Sequence, residues 1–332
     1  MRLMKLMLAS AVALATTPSL GQEQANVSTE AAGQADTGRW VTLGTEAGPL
    51  PSPTRSQPAN LLVAGGLNIL VDVGDGTAGQ LALLGMATAK IDAVFISHLH
   101  FDHTGGLAAI LGLRAQTNAP PNLKIYGPPG TAEMVAGILA SMTPGATAGY
   151  GVPGAPRADL SKMTEVVELR DHDNVEIAGM IARVRKNTHY SFKPGSDLDK
   201  RFEALSFRFD LPGRSIVYTG DTGPSTAVEE LAKGADLLVA EMMDIDDTIA
   251  NIRRANPNMP QRVATGMEQH LRSHHLLPRD VGEMAARAGV GGVVVTHFAG
   301  RERGDPKHFE YLRSIAEQYD GPVVIANDMD VF

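Results

Sequence analysis

The chain has 332 residues, 43 % of them hydrophobic, which is enough for a substantial buried core. A formal net charge of −8 argues against a global basic footprint for nucleic acid. The absence of cysteine removes disulfides and thiolate metal ligands together, so any metal site must use histidine and carboxylate, a donor set that suits Zn²⁺, Mn²⁺ or Fe.

The first residues read as a secretory signal. Arg2 and Lys5 form a basic start, Leu6 to Ala15 an apolar run too short to span a bilayer, and Ser19-Leu20-Gly21 a small-residue cleavage site before Gln22. The expectation is a signal peptide over 1–21, a polar flexible leader over 22–37 and one domain over 38–332, giving a periplasmic or secreted protein with no membrane anchor. Trp40 to Leu43 predicts the first strand, and Gly44 to Gln57 a loop. Asn60 to Ala64 and Asn68 to Val73 predict a hairpin turning at Gly65-Gly66. A helix after Gly76 is expected to bury Leu81, Leu83, Leu84 and Met86, followed by a strand over Asp92 to Ile96. Further on, Leu123 to Tyr126 predicts a strand, Thr131 to Met142 a helix, and Pro144 to Arg157 a loop with Tyr150 at its centre, expected to wall the substrate pocket. Strands follow over Val175 to Arg185, Leu205 to Phe209 and Ser215 to Tyr218, then a helix over Thr226 to Lys233 and a strand over Leu237 to Ala240. No element is assigned between Glu241 and Leu277. Helices over Pro278 to Ala288 and Phe309 to Tyr319 alternate with strands over Gly292 to Thr296 and Val323 to Ala326. Strands in two groups, each followed by helices, predict an α/β fold: two sheets packed face to face with helices outside.

Residues 97–106 read Ser-His-Leu-His-Phe-Asp-His-Thr-Gly-Gly directly after a buried strand. In an extended segment side chains two apart point the same way, so His98 and His100 can grip one ion. The following turn re-aims Asp102 and His103 towards a second, and Gly105 and Gly106 let the backbone pass closely. Two cations a few ångströms apart can share a hydroxide and clamp the attacking and leaving oxygens.

This motif, with Leu70-Val71-Asp72-Val73-Gly74-Asp75-Gly76-Thr77 before it, resembles the metallo-β-lactamase superfamily. Asn187-Thr188-His189, Tyr218-Thr219-Gly220-Asp221-Thr222-Gly223 and Val295-Thr296-His297-Phe298 extend the resemblance over nearly all of 38–332. It is strongest to the branch holding ribonuclease Z, arylsulfatases and cyclic-nucleotide phosphodiesterases. The resemblance implies an αββα four-layer sandwich with two mixed sheets. It implies two divalent metal ions, Zn²⁺ before Mn²⁺ or Fe: one held by His98, His100 and His189, the other by Asp102, His103 and His297, with Asp221 bridging. It also implies metal-assisted hydrolysis in which Asp102 orients the hydroxide and His275, or its neighbour His274, donates a proton to the departing oxygen. Glu241 could orient that histidine, although a Glu at a strand end is ordinarily solvated. Asp72 is expected to prop the metal loops through hydrogen bonds. His172, His270 and His308 read as surface residues, and Arg301-Glu302-Arg303 as a solvated charge cluster. Homodimers are common among the relatives.

Export and the lack of room for a tRNA-binding arm among the 31 residues between His189 and Asp221 point away from ribonuclease Z itself. The expectation is an exported hydrolase of small phosphodiester or aryl sulfate esters, with no nucleic acid polymer as partner. The alternatives are a lactonase or β-lactamase-like acyl hydrolase, and a metal-dependent binding protein without turnover.

Overall fold

The computed structural model describes residues 38–154 and 157–332. The expected signal peptide, 1–21, and leader, 22–37, lie outside the described residues.

Thirteen strands and ten helices are described. In chain order they are β1 (Arg39–Gly44), β2 (Ala59–Ala64), β3 (Leu67–Val73), α1 (Thr77–Leu83), β4 (Ala93–Phe95), α2 (Phe101–Thr104), α3 (Leu107–Gln116), β5 (Leu123–Gly127), α4 (Thr131–Ala148), β6 (Thr164–Glu168), β7 (Asn174–Ile177), β8 (Met180–Lys186), α5 (Asp197–Arg201), β9 (Leu205–Leu211), β10 (Arg214–Tyr218), α6 (Thr226–Ala232), β11 (Leu237–Met243), α7 (Ile245–Ala255), α8 (Gln261–His274), α9 (Pro278–Ala288), β12 (Val293–Ala299), α10 (Pro306–Ala316) and β13 (Val323–Ile325). One sheet runs β1-β2-β3-β4-β5-β6, the other β13-β12-β11-β10-β9-β8-β7. Each sheet is antiparallel at its start and parallel after its third or fourth strand in sequence. The chain end returns to the first sheet, where Trp40 and Phe332 exchange backbone hydrogen bonds.

Alternation along the strands builds the layers. Ile69, Val71, Ala93 and Phe95 face Val184, Phe207, Phe209, Ile216, Tyr218 and Val239 in a core between the sheets, where Trp40 is fully buried. Leu70, Val94 and Ile96 point the other way, beneath Leu81 of α1, Ile110 of α3 and Val135 of α4. Leu238, Ala240 and Val295 meet Val228 of α6, Met284 of α9 and Ile315 of α10. The four-layer sandwich expected from the sequence is therefore present.

Several local expectations need correction. Leu83 and Leu84 of the α1 region are exposed, because only Leu81 lies over the sheet. Helix α4 runs through Pro144 to Ala148 instead of stopping at Met142. The hydrogen bond a proline removes is tolerable there, since this end of α4 is largely exposed and water can serve the freed carbonyl. Val175 to Arg185 is not one strand but the hairpin β7–β8, turning at Ala178-Gly179, both with positive φ. Edge strand β6 and helices α7 and α8 were not predicted. For the helices the pattern existed: Ile245, Ile249 and Ile252 recur at helical spacing, as do Ala264, Met267 and Leu271, and Asp244 caps α7 by accepting from Asp247 N.

Phe207 packs edge-on to Phe95 at 5.4 Å within the inter-sheet core. Phe207→Ala should cost about 3–5 kcal/mol in urea unfolding, whereas Leu83→Ala should stay within about 0.5 kcal/mol.

Candidate metal centre

The metal-ligand candidates singled out by sequence come together at one edge of the sandwich, most of them at or just after the C-terminal part of a strand. His98 and His100 follow β4, His189 follows β8, Asp221 follows β10, and His297 lies within β12. Short helix α2 contributes Asp102 and His103. Close backbone approach makes this convergence possible. A Cβ at Gly106 would lie 2.2 Å from Gly74 O, and one at Gly220 2.9 Å from Leu205 O, where φ is also +57°. His297, at φ +41°, and Asp72, at φ +57°, hold left-handed backbone that side-chain-bearing residues seldom adopt, a strain that concentrates at functional sites.

Hydrogen bonds on one ring nitrogen set which nitrogen faces the cluster. Asp72 is fully buried and accepts from Ser97 N, Ser97 Oγ, Tyr218 Oη and His103 Nδ1, each at 2.7 Å. Since the Ser97 hydroxyl donates to Asp72, it accepts from His98 Nδ1 at 3.1 Å. His189 Nδ1 donates to His274 O at 3.3 Å, and Asn187 Oδ1 accepts from His189 N at 3.1 Å. The lone pairs of His98, His103 and His189 at Nε2 are thereby turned inward.

Two groups of donor atoms result. His98 Nε2 and His189 Nε2 each lie 3.0 Å from His100 Nδ1. Nitrogens about 2.05 Å from a shared tetrahedral ion would lie about 3.3 Å apart, so these two contacts to one ring nitrogen are near the spacing a common cation would impose. In the second group Asp221 lies 3.2 Å from both His103 Nε2 and His297 Nε2, while Asp102 Oδ2 lies 3.4 Å from the former and 3.5 Å from the latter. Asp221 Oδ2 is also 3.9 Å from His98 Nε2 and from His189 Nε2, which places its carboxylate between the groups. His103 Nε2, Asp221 Oδ1 and both ring nitrogens of His297 are buried without a hydrogen-bond partner in the protein. Buried polar atoms are rarely left so, and donors of this chemistry fit divalent cations.

The electrostatics agree. Burial, reinforced by neighbouring imidazoles, holds His98 well below the usual histidine range; burial likewise lowers His189, more than the nearby Asp221 raises it. Both are neutral ligands in waiting. Burial opposes protonation of His103 and His297 too, but Asp221 and Asp102 outweigh it and raise both. The pocket around the two carboxylates thus favours positive charge.

Beside the cluster, His275 Nδ1 donates to Glu241 Oε2 at 2.8 Å, and Glu241 Oε1 accepts from Thr222 N at 2.6 Å. Glu241 is buried rather than solvated. Burial works against a charged His275, yet the Glu241 carboxylate prevails and lifts it to about 9. His274 faces away from this dyad and bonds the Thr188 carbonyl through Nδ1. Among the remaining histidines, His172 is exposed as expected. His308 is instead buried, with Nδ1 donating to Arg301 O at 3.0 Å. His270, also expected on the surface, sits 5.4 Å from the His189 ring. Tyr190 was not singled out, although its ring lies 5.5 Å from His100 and its hydroxyl accepts from Leu99 N. Its position immediately after His189 was the available signal. The charge run is only partly solvated: Glu302 forks with Arg55 at 2.7 and 2.8 Å, and Arg301 pairs with Asp247. Tyr150 does not wall the metal cluster. With Gln116, Met142 and Arg157 it lines a cavity of about 520 Å³ at the far end of α3 from His103, about 15 Å along that helix.

Asp72→Asn keeps a residue tolerant of positive φ and removes the charge. It should cost on the order of 3 kcal/mol in urea unfolding and weaken metal retention during dialysis; unchanged stability would show that the four hydrogen bonds do not depend on a carboxylate.

The beta-lactamase superfamily domain matches residues 67–298. A ribonuclease Z of Mycobacterium avium is 32 % identical over 300 residues, covering 87 % of this chain and 96 % of that protein. Among solved structures, the metallo-beta-lactamase fold protein YhfI from Bacillus subtilis has a TM-score of 0.64 at 19 % identity, covering 90 % of this chain and 99 % of that one. The short form of human tRNase Z has a TM-score of 0.61 at 21 % identity, covering 89 % and 98 %. The ribonuclease Z relatives overturn two expectations: an exported hydrolase of small phosphodiester or aryl sulfate esters, and the exclusion of a nucleic acid polymer as partner. The physical grounds for that exclusion were weak. Net charge is a sum over the whole chain, and cations at the centre reverse the field where a phosphate would bind. The interval between His189 and Asp221 is indeed filled by α5, β9 and β10, but a missing arm there removes one contact surface and leaves the hydrolytic cluster whole. By its domain match and its relatives, the chain belongs to the metallo-β-lactamase superfamily and is a metal-dependent hydrolase.

Proposed function

We propose that this protein is a metal-dependent ribonuclease of the ribonuclease Z kind, cleaving phosphodiester bonds in RNA of the tRNA class. The observation that carries this reading is a complete donor cluster in a chain that matches 96 % of a ribonuclease Z. In this reading His98, His100 and His189 would hold one Zn²⁺ and Asp102, His103 and His297 a second, with the Asp221 carboxylate lying between the two groups. The cations would activate water near neutral pH and offset the charge of the scissile phosphate. The other roles belong to the chain itself. Asp102 orients the attacking water, whose displaced proton passes to solvent; despite burial, His103 and His297 beside it hold its carboxyl well below the usual carboxylate range, so it stays ionised as a hydrogen-bond acceptor. As the new oxygen–phosphorus bond forms and the old one breaks, His275 Nε2 gives its proton to the departing ribose oxygen. Glu241, fixed by Thr222 N, holds the His275 ring and stabilises its protonated form. The test offers zinc-loaded protein a tRNA transcript with flanking sequence at both ends, an unstructured RNA of equal length, and bis-p-nitrophenyl phosphate. Cleavage of the tRNA transcript is expected, and hydrolysis of the small ester alone would sink the RNA assignment.

Asp102→Ala should lower turnover by orders of magnitude in a folded protein. His275→Ala should lower kcat about 10²–10⁴-fold with metal content unchanged by elemental analysis; a lost metal would make His275 a ligand instead. Because His275 works as an acid, its contribution is present below its pKa and lost above it. Bound cations push that pKa down from about 9, so kcat should fall on the alkaline limb before pH 9, and this limb should vanish in His275→Ala.

A further inference from the structure

Helix α8 carries an imidazole that none of the roles above uses. His270 lies one turn before the C-terminal end of α8, and the helix runs directly into His275. Its ring stands edge-on to His189 at 5.4 Å and to His275 at 5.7 Å, and stacks on His274 at 5.2 Å. One ring nitrogen from each of His189, His270 and His275 falls within a sphere where all pairs are under 4.8 Å. His270 thus borders both the first donor group and the proposed acid.

The ring is also oriented. Its Nδ1 lies 2.8 Å from Ser191 Oγ, on the loop that follows His189. No other hydrogen bond to the ring is made within the described residues, and the side chain remains partly open to solvent. With the Ser191 hydroxyl donating to Nδ1, the proton of the neutral ring sits on Nε2. In that tautomer the ring presents an N–H donor beside the candidate metal centre, on a side chain partly open to solvent. A donor of this kind, held by a second residue, suits recognition of an anionic oxygen.

We propose that His270 is a substrate-contacting residue whose Nε2–H binds a non-bridging phosphate oxygen of the RNA at or next to the scissile bond, with Ser191 fixing its orientation. The inference rests on the ribonuclease reading for the identity of the phosphodiester, and on the geometry alone for the phosphate contact. It makes the loop Tyr190 to Gly195 and helix α8 two halves of one phosphate-binding rim.

The test uses the zinc-loaded full chain, with wild type, His270→Ala, His270→Gln and Ser191→Ala compared. The first readout is binding of inorganic phosphate by calorimetry, which needs no turnover; the second is kcat and KM on the tRNA transcript and on bis-p-nitrophenyl phosphate. His270→Ala should weaken phosphate binding and lower kcat/KM about tenfold, with zinc content and melting temperature unchanged. His270→Gln, whose amide can still donate, should recover most of the loss, and Ser191→Ala should show a smaller effect of the same sign. Equal phosphate affinity in wild type and His270→Ala would overturn the contact, as would loss of zinc in His270→Ala, which would make His270 part of the metal set. If phosphate binding depends on His270 while no RNA is cleaved, the contact stands and the ribonuclease reading falls. If RNA is cleaved equally well without His270, the reverse holds.

Discussion

A single buried carboxylate ties the metal centre to the fold. Asp72 sits at the end of β3, takes two hydrogen bonds from Ser97 at the end of β4, and reaches across the inter-sheet core to the Tyr218 hydroxyl on β10. Its fourth partner is the His103 ring. One group therefore fixes the relative position of the two sheets and orients a metal-binding imidazole. A charge buried so deeply is tolerable only because four donors converge on it, one at Oδ1 and three at Oδ2. The arrangement demands left-handed backbone at Asp72, and packing on both sides holds that strain in place. Everything downstream, from the inward-facing nitrogens to the spacing of the two donor groups, depends on this junction staying rigid.

The layered architecture explains why the donors gather at one edge. Strands β4, β10, β11 and β12 end on the same side, and their inner and outer faces are committed mostly to apolar packing. The polar side chains that face the centre come from the C-terminal parts of these strands and from the turns that follow them. Glu241 illustrates the rule: it is flanked by Ala240 and Met242, both fully buried, yet its carboxylate emerges where β10 has already turned away, against Thr222 N and His275. A rigid sheet holds such groups with less motion than a loop could, which suits the proposed centre of two cations and a proton donor.

Much of this was legible from the sequence, for identifiable reasons. The apolar alternation of Asn68 to Val73 and the run Asp92 to Ile96 gave the strands that carry the first motif, and the spacing of His98, His100, Asp102 and His103 marked the donors. His189, Asp221 and His297 were individually unremarkable and gained meaning only as a set. What escaped was whatever depends on tertiary neighbours. Glu241 and His308 read as solvated because nothing local to either reveals the helix or histidine that covers it. His270 escaped because α8 itself was not assigned, although Ala264, Met267 and Leu271 carried its apolar stripe. Leu83 and Leu84 failed in the opposite sense, as apolar residues on a seven-residue helix with only one turn over the sheet.

The substrate was the hardest feature to read, and the reason lies in how charge acts over distance. A donor set of histidines and carboxylates prepares cations for attack on phosphorus, sulfur or carbon alike, so the ligands cannot name the electrophile. Net charge, together with the expected export and the short interval between His189 and Asp221, pointed away from a nucleic acid polymer. Yet a polyanion responds to the local field, which mobile salt screens beyond about 8–10 Å. Several acidic residues are taken up in surface pairs with arginine and leave little field of their own, such as Asp210 with Arg183 and Arg208, Glu283 with Arg279 and Arg287, and Glu268 with Arg253 and Arg272. At the centre itself, Asp102 and Asp221 are the carboxylates that cations would neutralise, and His275 adds a positive charge that Glu241 balances. In the proposed reading a phosphate arriving there would meet metal and imidazole, and charges elsewhere on the chain are screened by salt over that distance.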